Sequence, residues 1–164
     1  MRQAGWTCKR RTRWGVSTVQ VLGESMAPEL GDGQVLIVLS RAARVPRLGD
    51  LLVFENPTRA NLPPALASSQ PRLLVKQVAG APGDPVPDDI FNERIRFHGC
   101  VPADAFLVRG TAPHSQDSRH FGYIPAASVV GIGYPLCLRC FLMRRRTCQH
   151  WRKQPTGWDK GHQT

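Results

Sequence analysis

The chain has no uninterrupted apolar run of the roughly 20 residues that a membrane-spanning helix needs. The nearest candidate, Ile132 to Met143, is too short and is broken by Pro135 and Arg139. The basic N-terminal stretch is not followed by the apolar region of a secretory signal, so a soluble or peripheral chain is expected. Aromatic residues are scarce at 7%, whereas Gly (15) and Pro (14) are plentiful. This balance disfavours long helices and suits short strands joined by turns. Acidic residues are few, 12 against 22 Lys and Arg. Cysteines number five, and an odd count argues against a disulfide framework. Lysine is almost absent from the middle of the chain, where every basic residue other than Lys76 is arginine.

The hydrophobic content of 41% across 164 residues is enough for one domain with its own core. The net charge of +10 is concentrated at the ends: Arg2, Lys9, Arg10, Arg11 and Arg13, then Arg144, Arg145, Arg146, Arg152, Lys153 and Lys160. Basic ends around a nearly balanced body fit an anionic membrane surface or flexible tails as well as they fit DNA. No specific nucleic acid partner is expected. The Cys137-Leu138-Arg139-Cys140 pair, with Cys148 and His150 nearby, has metal-ligand residue types. A lone CxxC is a weak zinc signal, and reduced thiols in a partly apolar tail are the plainer reading.

Strand-like segments span Val16 to Leu22, Gln34 to Leu39, Leu51 to Phe54, Leu73 to Ala79, Phe106 to Arg109 and Val129 to Ile132. Turn signals separate them at Leu30-Gly31-Asp32-Gly33, Leu48-Gly49-Asp50, Pro82-Gly83-Asp84-Pro85 and Arg109-Gly110. The proline-rich stretch 56–72 reads as a surface loop. The organisation expected is a basic arm over 1–15, a mainly β domain over 16–135 and a basic, Cys-containing tail over 136–164.

Two residues suggest chemistry. Lys76 lies inside the apolar run Leu73-Leu74-Val75-Lys76-Gln77-Val78-Ala79. Burial discharges a lysine, whereas an arginine stays protonated, so Lys76 is a candidate base; by strand alternation it could equally face solvent. Ser25 follows a strand and Gly23, and Pro28 prevents regular continuation, so its hydroxyl is presented where structure breaks. Such a serine is often a cap or turn residue. Facing a neutral lysine, it would be a nucleophile.

Four ordered segments resemble the signal peptidase I family, also called leader peptidase. Ser25-Met26-Ala27-Pro28-Glu29-Leu30 is similar to the family's SMxPTL box, followed by Gly33-Gln34-Val35-Leu36. Arg47-Leu48-Gly49-Asp50-Leu51-Leu52-Val53-Phe54 is similar to its R-x-GD-I-V-V-F box. Val75 to Asp84 resembles the lysine box KRVVGLPGD, and Ser115 to Pro125 resembles SxDSRxxGxVP. The resemblance implies coiled antiparallel sheets and a Ser/Lys dyad without metal or organic cofactor. Ser25 would attack the scissile carbonyl and Lys76 would carry the proton, with Ser115 orienting the amine. Asp117 and Arg119 would pair to shape the site, and the Ser25 N–H would serve the oxyanion. Gly23 stands where the family has Ser or Gly, so no side-chain donor is available there.

The chain departs from the pattern in places. Gly110-Thr111-Ala112 replaces the family's GDN, one residue closer to the final box than usual; Gln77 replaces Arg and Glu29 replaces Thr. The family's N-terminal anchor is not visible, which fits a short divergent member, a lost anchor or one upstream. The resemblance implies a membrane-associated endopeptidase that cleaves export signals after small residues, the substrate lying extended as an added strand. The alternatives are a cytoplasmic self-cleaving Ser/Lys peptidase of the repressor type and a basic binding module without catalysis. A Ser/His reading through His114 or His120 has no acidic orienter placed for either.

Overall fold

Period-two alternation of apolar residues decides most of the architecture, because it gives each strand one face to bury. In the computed structural model, which describes residues 15–40, 42–90, 95 and 99–136, the strands are β1 (Val16–Gln20), β2 (Val35–Ser40), β3 (Leu51–Glu55), β4 (Leu73–Gly80), β5 (Ala105–Arg109), β6 (Ile124–Pro125) and β7 (Val129–Pro135). They form one curled antiparallel sheet of order β1-β2-β7-β3-β4-β5-β6. The last long strand thus inserts between β2 and β3, and the chain is mainly β, as its composition led one to expect.

The two faces of the sheet bury different clusters. One joins Val19 and Val21 to Leu36, Val38, Leu51, Val53 and Val75, and is plugged by Met26 and Leu30 from the turn after β1. The other gathers Leu52, Phe54, Val78, Phe106, Val108, Ile124 and Val129, with Phe121 packed edge-on to Phe54 at a centroid distance of 6.2 Å. Because β3 is covered on both sides, Leu51 to Phe54 is a continuous apolar run, all four residues being buried. A third, smaller cluster of Ile90, Ile95, Val101 and Leu107 fixes the excursion between β4 and β5.

Each expected strand is present, with its ends shifted by up to three residues, the largest change being at β7, which runs on to Pro135. The short β6 was not legible in the sequence, and the proline-rich stretch holds more structure than a plain loop. Prolines at initial helical positions start a 3₁₀ turn at Pro57–Asn61 and a short helix, α1, at Pro64–Ser69, and Asn56 caps the former by accepting from the Thr58 N–H. A second short helix, α2, spans Ser118–Phe121. Among the described residues no helix is long and apolar enough to cross a membrane. Nearly all of the basic arm and tail, and with them Cys137 and Cys140, lie outside the described residues.

Glycines in β7 let its neighbours close over it. A methyl group on Gly131 would collide with the Leu39 carbonyl and stand 3.0 Å from Val38 Cγ1. Gly131→Ala is therefore expected to destabilise the protein by at least about 2 kcal/mol in urea unfolding, since the strand backbone has nowhere to move. Leu66→Ala, at a side chain that is 56% exposed, is expected to change stability by less than about 0.5 kcal/mol.

Candidate active site

The site grows out of the place where β5 leaves β4. These strands pair from Gln77↔Arg109 to Gly80↔Leu107, whereas β3 follows β4 from Leu73 to Gln77. Among the described residues, 73–76 thus have a strand partner on one side only. At Gly110 the chain turns away and returns through Ser115 to α2.

Lys76 occupies this vacated level and is only 2% exposed, enclosed on a strand whose neighbours Val75 and Val78 are also buried. Its Nζ donates to Ser115 Oγ at 2.6 Å, and Ser115 is itself 1% exposed. Burial is the main influence on the amine and pulls its pKa from the ordinary 10.5 to about 8. The Asp117 charge opposes this shift, and the Arg119 charge adds to it. An enclosed amine with such a pKa is substantially neutral at mildly alkaline pH.

Asp117 is fully buried and saturated with donors. Arg119 Nε donates to Oδ1 at 2.9 Å and Arg119 Nη2 to Oδ2 at 2.7 Å. The Gly110 N–H donates to Oδ2 at 2.9 Å and the Arg119 N–H to Oδ1 at 3.1 Å. Burial alone would raise the Asp117 pKa, but these donors hold it below the usual carboxylate range. The bidentate pair locks the 110–119 segment, and Ser118 Oγ, accepting the Val108 N–H at 2.9 Å, adds a second tie to β5.

Ser25 is exposed in the turn after β1, while the adjacent Met26 is buried. Gly23 adopts a left-handed φ of 85°, and its N–H donates to Asp32 Oδ1 at 2.7 Å. That donor is committed inside the turn rather than offered to a ligand. The turn meets the lysine site at Gly110. A methyl group there would collide with the Ser115 hydroxyl and lie 2.9 Å from the Ser25 carbonyl oxygen, so the Ser115 side chain and the Ser25 backbone converge on one α-carbon. The structure thus links Lys76 to Ser115 and Asp117 to Arg119 by hydrogen bonds and brings the Ser25 backbone beside Gly110, with Gly23 just upstream on the turn; among the described residues no hydrogen bond joins the Ser25 hydroxyl to the Lys76 amine.

His114 is exposed. His120 accepts the Asp117 N–H at Nδ1 (3.4 Å), completing the cap of α2. Among the described residues, no cluster of three or more His, Cys, Asp or Glu could hold a metal ion. Sequence reasoning read Gly110 as a turn residue but missed it, with Thr111 and Ala112, as site-building; the departure of Thr111 and Ala112 from the family's GDN was the available signal.

The enclosed amine has a thermodynamic consequence. With a folded pKa of about 8 against 10.5 unfolded, the unfolded chain binds more protons between these values, so stability rises with pH across that window. The penalty is fully present below pH 8. Urea unfolding is expected to show wild-type stability increasing by up to about 3 kcal/mol relative to Lys76→Met between pH 7.5 and 10.5. Parallel profiles for the two proteins would contradict an enclosed amine.

A family model described as "Signal peptidase, peptidase S26" matches residues 12–99, a span that contains the Ser25 turn and β4. No curated protein matches the chain. Since the family match covers more than half of the 164 residues, the chain belongs to the signal peptidase family, peptidase S26.

Proposed function

We propose that the chain is a serine endopeptidase that cleaves the signal peptides of exported proteins after small residues, with Ser25 as nucleophile and neutral Lys76 as general base. The observation that carries the proposal is the enclosed Lys76 amine, its pKa lowered to about 8 by burial and its direction set by Ser115, whose loop meets the Ser25 backbone at Gly110. Membership of the signal peptidase family implies a polypeptide substrate.

Chemistry follows from that arrangement. As Ser25 Oγ forms its bond to the scissile carbonyl carbon, its proton passes to Lys76 Nζ. The Ser25 N–H stabilises the developing oxyanion. The C–N bond then breaks, and the Lys76 ammonium returns the proton to the leaving amine. In the second half, water gives its proton to Lys76 while attacking the acyl-enzyme ester, and the proton goes back to Ser25 Oγ as the acid departs. Ser115 keeps the amine directed throughout, and the Asp117–Arg119 pair holds the loop that carries Ser115.

Over 73–76 the side of β4 that has no strand partner among the described residues would receive an extended substrate as an added strand, with main-chain hydrogen bonds giving affinity. The catalytic chemistry needs no metal or organic cofactor. The basic ends suit an anionic membrane surface, which would hold the enzyme where export signals emerge.

Cleavage of a signal peptide ending in Ala-x-Ala is the direct test. Wild type is expected to cut it in trans, with kcat/KM rising with pH to a midpoint near 8, where Lys76 loses its proton. Ser25→Ala and Lys76→Arg are each expected to lower kcat/KM at least about a thousandfold. Activity retained in either variant, cleavage confined to the chain itself, or a profile rising only near pH 10 would overturn the assignment.

A further inference from the structure

The turn that presents Ser25 and the strand that carries Lys76 come from distant parts of the chain, and something must set their separation. Much of what holds the turn is internal to it. The Ala27 N–H donates to the Glu24 carbonyl at 2.9 Å and the Leu30 N–H to the Met26 carbonyl at 2.8 Å. Met26 and Leu30 plug one core, which fixes depth without fixing the approach to Lys76. Two further hydrogen bonds reach the turn from outside, both from the loop after β5. Thr111 Oγ1 donates to the Ala27 carbonyl at 3.0 Å, and the Ala112 N–H donates to the Ser25 carbonyl at 3.3 Å.

That same loop is fastened to the lysine side of the site. The Gly110 N–H is held by Asp117 Oδ2, and the Ser115 N–H donates to the Ala112 carbonyl at 3.0 Å. Residues 110–112 therefore bind the nucleophile's turn in one direction and the base's partner in the other. We infer that Thr111 is a positioning residue for the proposed reaction, its hydroxyl clasping the 25–27 turn so that the Ser25 side chain is held in register with the Lys76 amine. The inference rests on the Ser25/Lys76 assignment made above.

Threonine suits this task. Its branched β-carbon restricts χ1, so the hydroxyl is aimed before the turn arrives, and the residue is part-buried, where a neutral hydrogen bond is less exposed to competition from water. It stands in place of the acidic residue of the family's GDN. A carboxylate could not donate to a carbonyl when ionised, so the clasp is a property of this chain's own residue.

The consequence is a kinetic effect with a specific form. Removing the hydroxyl leaves Lys76 and Ser115 where they are, because their hydrogen bond and the Asp117 anchor do not involve Thr111. Substrate binding along β4 is likewise untouched, and only the reach between nucleophile and base loosens. Thr111→Val is expected to lower kcat about tenfold on an Ala-x-Ala peptide, with KM within about twofold of wild type and the pH midpoint unmoved. Thr111→Ser is expected to recover kcat to within about twofold. Thr111→Ala, assayed alongside in case the valine variant folds poorly, is expected to show the same split with a thermal midpoint within a few degrees of wild type.

A kcat for both Thr111→Val and Thr111→Ala within twofold of wild type would overturn the inference. So would a loss expressed in KM, a shifted pH midpoint, or a Thr111→Ser variant as impaired as the valine one. Failure of the underlying assignment has a different signature: Ser25→Ala or Lys76→Arg would then retain cleavage, whatever the Thr111 variants do.

Discussion

The structure depends on one constraint: a lysine amine enclosed in a β-sheet protein must be given a hydrogen-bond partner without being given a counterion strong enough to keep it charged. Lys76 meets that condition through the Ser115 hydroxyl. Asp117, the nearby carboxylate that could have formed a salt bridge with it, is instead occupied on both oxygens by Arg119 and by backbone N–H groups. The arginine thus favours the neutral form of the lysine, both by its own charge and by engaging the acid that opposes it. Burial then outweighs the remaining attraction of Asp117, and the amine's pKa falls to about 8.

The fold serves this constraint by simple means. Where β5 parts from β4 it leaves a level of the sheet with no second neighbour among the described residues, and the departing chain returns to place Ser115 on the lysine amine. Gly110 makes the return possible, since even one added carbon would occupy the space of the Ser115 hydroxyl. The turn after β1 reaches the same α-carbon from the opposite direction, carried there by Met26 and Leu30 as they sink into one face of the sheet. Rigid strands carry the proposed base, and a hydrogen-bonded loop and turn carry the groups proposed to act with it. Holding an amine in this way costs stability below pH 8, a familiar exchange between fold stability and site chemistry.

Much of this was legible in the sequence for physical reasons. The scarcity of lysine in the body of the chain singled out Lys76, and the apolar run around it announced a strand. The period-two segments from Val16 to Ile132 located the principal strands, and glycine and aspartate marked their turns. What escaped notice depended on long-range contacts. The two-residue β6 is too short to show a period. Prolines at 57 and 64 looked like loop residues although their fixed φ starts helical turns. Thr111 and Ala112 were visible only as a departure from a familiar pattern, because their hydrogen bonds to the Ser25 turn cross 84 positions of sequence or more. Strand alternation left open whether Lys76 faced solvent or the interior, and the return of Ser115 decided it.

The proposed chemistry turns on the charge state of a single nitrogen. Titration of Lys76 Nζ by ¹⁵N NMR, with Lys76→Arg used to assign the signal among the chain's few lysines, measures it directly. The expected result is a resonance that loses its proton with a midpoint near pH 8, well separated from the other lysines. A Lys76 midpoint at the ordinary 10.5 would show a solvated ammonium and would contradict the enclosed neutral amine on which the proposed chemistry rests.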